Sequence, residues 1–392
     1  MRIAIEGQRL FREKKHGMDF VALELIKNLM KIDKENEYFV FVAPDKDKCL
    51  HDTSNFKIIE LEGGLYPKWE QIALPKAVKE YGCELLQCTS NTAPIYSPVP
   101  FIVILHDIIY MESVAIFRKG YTWYQKIGNM YRRFVVPRIL KKAAKVITVS
   151  NFERNRIKEF FQLKEEKIVA IYNGVGEHFM QIDDVEYLQH IREKYNLPEH
   201  YFFFLGNTDP KKNTKGVLQA YSAYVKKQGE DVKLLMLDYD ETELVSLLQE
   251  IGDPNLRKQI YLAGYVNNQD LPAIYNMADL FLYPSLRESF GIPMLEAMAC
   301  GTPVITSNTS SMPEVAGDAA LIVDPYNSKE ITSAILDLIN DKEKREQLIQ
   351  KGLIRVRAFS WREMAKENLK LYNEVLEQDV VETRYNTRML FI

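Results

Sequence analysis

The chain has 392 residues, of which 46% are hydrophobic, 27% charged and 11% aromatic. That length exceeds what one hydrophobic core usually serves, so two domains of ~150 residues each are expected. A formal net charge of -3 argues against whole-protein nucleic-acid binding, and the four unpatterned cysteines (Cys49, Cys83, Cys88, Cys300) offer no zinc framework and fit a reducing cytosol.

The first residues, Met1 to Gly7, read as a short strand entering a glycine turn, without the layered pattern of a secretory signal. Short apolar, β-branched runs then alternate with helical periods. Ile3–Ile5, Tyr38–Val42, Phe56–Ile59, Phe101–Leu105, Val146–Val149 and Ile168–Ile171 are predicted strands, with amphipathic helices such as Phe20–Lys31 and Phe152–Phe161 between them. A polar stretch from His178 to Asn196 interrupts the alternation, and a linker is expected near Gly176–Asp184. The pattern restarts with strands at Tyr201–Leu205, Lys233–Leu237, Gln259–Leu262, Leu280–Tyr283, Pro303–Thr306 and Ala320–Val323. A helix over Trp361–Glu377 follows an N-cap candidate, Ser360, and the end from about Val380 reads as frayed. The fold class is α/β: two doubly wound domains, 1–176 and 177–359, followed by a helix and tail over 360–392. Two such halves imply a ligand-binding cleft at strand carboxyl ends. No apolar run approaches the ~18 residues that cross a bilayer, so any membrane contact is expected from one side.

The strongest local signal is the run Arg287-Glu288-Ser289-Phe290-Gly291-Ile292-Pro293-Met294-Leu295-Glu296-Ala297 and onward to Val304. A strand ends at Tyr283-Pro284, a loop follows, and Pro293 sits in the first turn of a helix, where its missing N–H costs nothing. Amides around Phe290, Gly291 and Ile292 then face outward at the positive end of that helix, a natural diphosphate seat. Glu296, one turn further, can accept two hydrogen bonds from vicinal ribose hydroxyls, and Glu288 can face sugar hydroxyls. Two glutamates at a helix start also occur for dipole reasons alone.

The seven-residue separation of Glu288 and Glu296, and the sequence around them, resembles the signature of the family-four retaining glycosyltransferases of GT-B fold. The resemblance continues through Met312 to Pro325, Thr148 to Phe152 and Tyr172 to Val175, spanning nearly the whole chain. It implies two Rossmann-like domains, with the C-terminal helix crossing back to the first. It further implies a nucleotide-sugar donor, a saccharide or lipid-linked acceptor, no cofactor and no metal ion.

Around that signature lie further candidates. The loop Gly206-Asn207-Thr208-Asp209-Pro210-Lys211-Lys212-Asn213 follows the first strand of the second domain. The resemblance assigns Lys212 to the diphosphate; Asn207 stands where many relatives carry arginine, and Lys211 is a second candidate cation. Asn213 is an N-cap candidate. The donor base is expected near Tyr265-Val266. His106-Asp107 ends a first-domain strand and resembles the His-Asp of these transferases, which points His106 at a sugar hydroxyl. Gly17 precedes a helix where relatives carry a glycine-rich loop near the donor phosphate. Catalytic roles therefore fall to His106, Lys212 and Glu288.

Asp238-Tyr239-Asp240 has the spacing of a metal-binding Asp-x-Asp, but Asp45-Lys46-Asp47 repeats it in an ordinary polar loop, so both read as turn chemistry. Residues Arg118 to Lys145 carry nine basic side chains and no acidic one, interleaved with aromatics. Such a face suits anionic lipid or a phosphorylated acceptor. It equally suits an ordinary helix with lysines in water and aromatics in the core, and both readings stay open. The expected location is the cytoplasm, with peripheral contact at the membrane face. The competing functions are a nucleotide-sugar epimerase of the same architecture and a non-catalytic nucleotide-sugar-binding protein.

Overall fold

The computed structural model describes residues 1–112, 123–229 and 231–389, with side chains described except at 123–125 and 379–389. It divides into two compact units, Met1–Asn173 together with the segment from Trp361, and Gly174–Ser360.

The first unit is built on a seven-stranded sheet: β1 (Arg2–Glu6), β2 (Glu37–Val42), β3 (Phe56–Glu60), β4 (Leu85–Cys88), β5 (Phe101–Ile104), β6 (Lys145–Thr148) and β7 (Ile168–Ala170). Its order is β3-β2-β1-β4-β5-β6-β7, with every pairing parallel. The central strands β4 and β5 are buried at every residue and β1 at all but its first, whereas β3 and β7 at the sheet margins are partly exposed. Enclosure of the inner strands is why such segments read as continuous apolar runs rather than alternating ones. Strand β4 escapes the sequence reading although it lies beside β1 at the centre of the sheet. Its four residues, Leu85-Leu86-Gln87-Cys88, contain no β-branched side chain and include a buried glutamine.

The helix Gly17–Ile32 buries Val21, Leu25 and Leu29 and packs against the terminal helix Trp361–Met389, whose Leu371, Tyr372 and Val375 are buried. The C-terminal helix thus returns to the first unit. It continues to Met389, past the point where fraying is expected.

The second unit carries a six-stranded parallel sheet of β8 (Tyr201–Phe204), β9 (Lys233–Met236), β10 (Ile260–Leu262), β11 (Leu280–Tyr283), β12 (Val304–Ser307) and β13 (Leu321–Val323). Its order is β10-β9-β8-β11-β12-β13. Both sheets reverse direction of construction once, at β1/β4 and at β8/β11. The crevice outside the strand carboxyl ends at such a reversal is where open α/β sheets bind ligands.

The chain enters the second unit at Gly174 and leaves it at Ser360, not after Gly176 and Phe359. The cause is local: Val175 bridges Ser360 in parallel, and its N–H donates to the Phe359 carbonyl (3.3 Å). The stretch expected as a linker is tied down, since Asn276 donates to the Met180 carbonyl (2.9 Å) and accepts from the Ile182 N–H (2.9 Å). The polar break after it holds a helix, Val185–Lys194, capped by Asp184.

Candidate functional site

At the β8/β11 reversal three loops meet. The loop after β8 is pinned to the loop after β11 by Leu286 N–H to the Lys211 carbonyl (2.7 Å) and by Asn213 Nδ2 to the Pro284 carbonyl (3.0 Å). Asn213 stands at the N-cap of helix Thr214–Gln228 in a left-handed conformation (φ 61), but its side chain does not cap. It donates instead to Pro284 and to the Pro325 carbonyl (2.7 Å), so its amide staples loops rather than closing a helix end. The loop after β12 supports the other side. Ser310 Oγ accepts the Glu288 N–H (3.0 Å), and the buried Ser311 hydroxyl reaches the carbonyls of Glu288 (2.9 Å) and Phe290 (3.1 Å). The sequence reading missed Ser310 and Ser311, although the run Ser307-Asn308-Thr309-Ser310-Ser311 directly after a strand was a visible signal.

This bracing brings Lys212 and Glu288 together. Lys212 Nζ lies 2.7 Å from Glu288 Oε1, with side-chain exposures of only 16% and 12%. The ammonium also donates to the Tyr283 hydroxyl (3.3 Å) and sits 5.1 Å from the centre of that ring. Burial and the neighbouring Glu288 carboxylate push the Tyr283 phenol well above its ordinary range, so it remains a neutral donor. Tyr283 is a site residue that the sequence offered only as a strand end. Lys211 is not part of this pair; its Nζ lies 3.7 Å from Asp209, and it is more exposed than Lys212. Asn207 is exposed and closes its own turn by accepting the Asp209 N–H (2.9 Å).

The helix Ile292–Ala299 begins just beyond Glu288, with Gly291 at the N-cap and Pro293 in the first turn. Gly291 has φ 105, and a Cβ there would stand 2.4 Å from Met312 Cε, so the turn into the helix admits only glycine without strain. Phe290 is buried, with its ring 5.7 Å from that of Phe359. Pro293 carries no N–H and Met294 N–H donates to the Gly291 carbonyl (3.1 Å), which leaves the amides of Gly291 and Ile292 at the positive dipole end of this helix. Glu296, one turn in, accepts from the buried Tyr275 hydroxyl (3.0 Å). Burial pushes its carboxyl up to about 7, against the lowering effect of Tyr275. A carboxyl held in so unfavourable a setting marks a functional-site candidate. Val266 is half-buried in the loop after the edge strand β10, beside the exposed Tyr265.

In the first unit, His106 follows β5 at the carboxyl edge of its sheet. It is buried, its N–H donates to Asn91 Oδ1 (2.6 Å), and Nε2 lies 3.1 Å from the Thr89 carbonyl. That contact places the ring proton on Nε2 and leaves Nδ1 as an acceptor. Burial lowers its pKa, opposed by Thr89, Asp107 and Asp19, so the ring is neutral at pH 7. Asp19 belongs to the first turn of Gly17–Ile32 and accepts the His16 N–H (2.9 Å). Gly17 and His106 therefore share one edge. Gly17 is exposed, with no atom within 4 Å of where a Cβ would stand, so packing does not demand glycine there.

The aspartates of Asp238-Tyr239-Asp240 serve the backbone. Asp238 turns the chain with φ 45, and Asp240 caps helix Glu241–Glu250 by accepting the Glu243 N–H (2.9 Å). Within the basic segment, residues 118–122 and the side chains of Trp123 and Tyr124 lie outside the described residues. The helix Trp123–Lys142 exposes Ile127, Met130 and Phe134 along one face, followed by Arg138, Lys141 and Lys142. Among the described residues no helix is long and apolar enough to cross a membrane.

Two parallel sheets of this order, one in each unit, define the GT-B architecture. The chain superposes on the sucrose-phosphate synthase of Thermosynechococcus elongatus with a TM-score of 0.74 over 96% of this chain and 99% of that one, at 21% identity. Residues 16–178 match the model described as Glycosyltransferase Family 4, and residues 188–355 that of Glycosyl transferases group 1. The O-antigen chain mannosyltransferase RfbU of Salmonella typhimurium is 31% identical over 70% of this chain and 69% of its own length. The O-antigen chain mannosyltransferase B of Escherichia coli is 34% identical over 59% of this chain; the match spans 61% of that protein's length. The chain belongs to glycosyltransferase family 4.

Proposed function

We propose that this protein transfers a hexose, mannose, from a nucleoside-diphosphate sugar to a saccharide or lipid-linked saccharide, with retention and without a metal ion. The observation that carries this reading is the half-buried Lys212–Glu288 pair beside the start of helix Ile292–Ala299. In front-face transfer the acceptor oxygen bonds to the anomeric carbon on the side from which the diphosphate leaves, and its proton passes to the departing phosphate oxygen. The protein neutralises the growing diphosphate charge and orients the sugar. Lys212 and the first-turn amides at Gly291 and Ile292 perform the first task. Glu288, freed from Lys212 by an incoming phosphate, accepts from sugar hydroxyls, and Glu296 holds the ribose diol. His106 Nδ1 accepts from a sugar hydroxyl, and Gly17 leaves room for a phosphate at its helix start. Mannose is supported by the names of the two O-antigen relatives.

The exposed Ile127–Met130–Phe134 face and the basic turn after it favour peripheral contact with the anionic cytoplasmic face of a membrane. Vesicle sedimentation at low and high salt tests that contact, because electrostatic attachment weakens with salt.

A thermal-shift screen over GDP-mannose and other nucleotide sugars, followed by product analysis with and without saccharide acceptor, tests the reaction. Stabilisation by a donor and acceptor-dependent release of nucleoside diphosphate is the expected result. Epimerised donor formed without acceptor, or no stabilisation by any nucleotide sugar, would sink the proposal.

A further inference from the structure

The amino edge of the first sheet, opposite the edge that carries His106, holds a cavity of about 350 Å³. Lys141, Lys145, Lys164 and Lys167 line it, together with Glu166 and Gln378. Lys145 opens β6 and Lys167 directly precedes β7, so the pairing of neighbouring parallel strands sets the two ammonium groups side by side.

Lysines at this edge have an ordinary purpose, which is to offset the negative ends of helices. Here Trp123–Lys142 and Asn151–Phe161 both end beside the cavity. Each helix end is worth about half a negative charge, so two amount to roughly one. Adding the Glu166 carboxylate brings the total to about two negative charges against four lysines. Among the described residues roughly two positive charges remain uncompensated, more than dipole compensation explains.

The contacts agree with that sum. Lys145 Nζ donates to a neutral acceptor, the Glu166 carbonyl (2.9 Å). Glu166 itself lies 4.0 Å from the highly exposed Lys164. Among the described residues no carboxylate pairs with Lys141, Lys145 or Lys167. Burial lowers the Lys167 pKa, and the Lys145 charge lowers it further, the mark of like charges held together without a counter-ion.

We propose that this pocket is a second anion site, built to take a phosphate group, the shared chemistry of anionic lipid headgroups and free phosphate. It does not rest on the transfer reaction. Lys141 belongs both to this pocket and to the exposed basic turn of Trp123–Lys142, so a lipid phosphate is one natural source.

Amine-reactive acetylation read by mass spectrometry tests the site in the full-length wild-type protein, with saturating nucleoside diphosphate present to occupy the Lys212 region. The probes are inorganic phosphate, vesicles of phosphatidylcholine alone, and vesicles also containing phosphatidylglycerol. Phosphate is expected to slow acetylation of Lys145 and Lys167 but not of Lys226, an exposed lysine of the second unit that pairs with Asp253. Protection by phosphatidylglycerol vesicles as well assigns the site to lipid headgroups, and protection by phosphate alone assigns it to a soluble phosphorylated ligand. The Lys145→Gln, Lys167→Gln double variant should lose phosphate affinity by about tenfold or more in calorimetry, with an unchanged melting temperature. Absence of protection by both probes in the wild type, or equal phosphate affinity in the folded double variant, overturns the proposal.

Discussion

Replacing Glu296 by glutamine separates what this residue costs the fold from what it gives a ligand. The amide keeps the size of the side chain and an oxygen for the Tyr275 hydroxyl, but it carries no charge. In the folded protein burial holds the carboxyl near 7, whereas an unfolded chain ionises it near 4.5. A raised carboxyl means that folding prefers the protonated form. Below 4.5 both states are protonated and the residue is neutral for stability. As pH rises from 4.5 to 7 the unfolded state gains from ionisation first, and above 7 the penalty is constant. That difference of roughly 2.5 pKa units corresponds to about 3 kcal/mol. For a unit of this size each kcal/mol moves the melting temperature by about 2–4 °C, so Glu296→Gln should melt roughly 6–12 °C higher at pH 8. Near pH 4.5 the gain should vanish. Melting curves of the two proteins across this range give the measurement. A gain that is equal at both ends, or absent at pH 8, refutes the assignment of the strained carboxyl. Binding should move the opposite way: wild-type affinity for nucleoside diphosphate should rise with pH through 7, as the carboxylate forms, while the glutamine variant binds weakly and without this dependence.

Lys212→Ala removes one preorganised contact to a departing diphosphate, so kcat should fall about a hundred- to a thousand-fold, equivalent to roughly 3–4 kcal/mol; single-turnover transfer rates that match wild type would exclude the role. Glu288→Ala should slow transfer yet leave nucleoside diphosphate binding nearly intact, and loss of nucleotide binding in calorimetry would mean that the roles of Glu288 and Glu296 are exchanged. Gly17→Ala meets no neighbour, so it should melt as wild type does and lose activity only if a ligand approaches that helix start; unchanged kcat/KM removes Gly17 from the site. EDTA should leave the wild type active, and Asp240→Ala should cost about 1 kcal/mol of stability as a lost helix cap without abolishing transfer. Activity lost in EDTA and restored by Mn²⁺ would reverse the metal-free mechanism.

The sequence by itself determined the alternation of buried strands and covering helices, because strands enclosed on both faces must be continuously apolar and their connections must be long enough to cross back. It also marked Lys212, Glu288 and Glu296, through the resemblance of the runs that carry them to a family signature. Strand β4 stayed hidden because Leu85-Leu86-Gln87-Cys88 has no local preference for strand and is extended only by its neighbours β1 and β5. Tertiary structure alone decided that Lys212 and Glu288, 76 residues apart, form one ion pair over Tyr283. It likewise decided that Asn213 staples two loops, that Ser310 and Ser311 hold the Glu288 backbone, and that Glu296 titrates near 7. Each of these depends on distances between segments remote in the chain and on the exclusion of water around them. Local sequence encodes neither, because a side chain's partner and its dielectric surroundings exist only after the strands have paired.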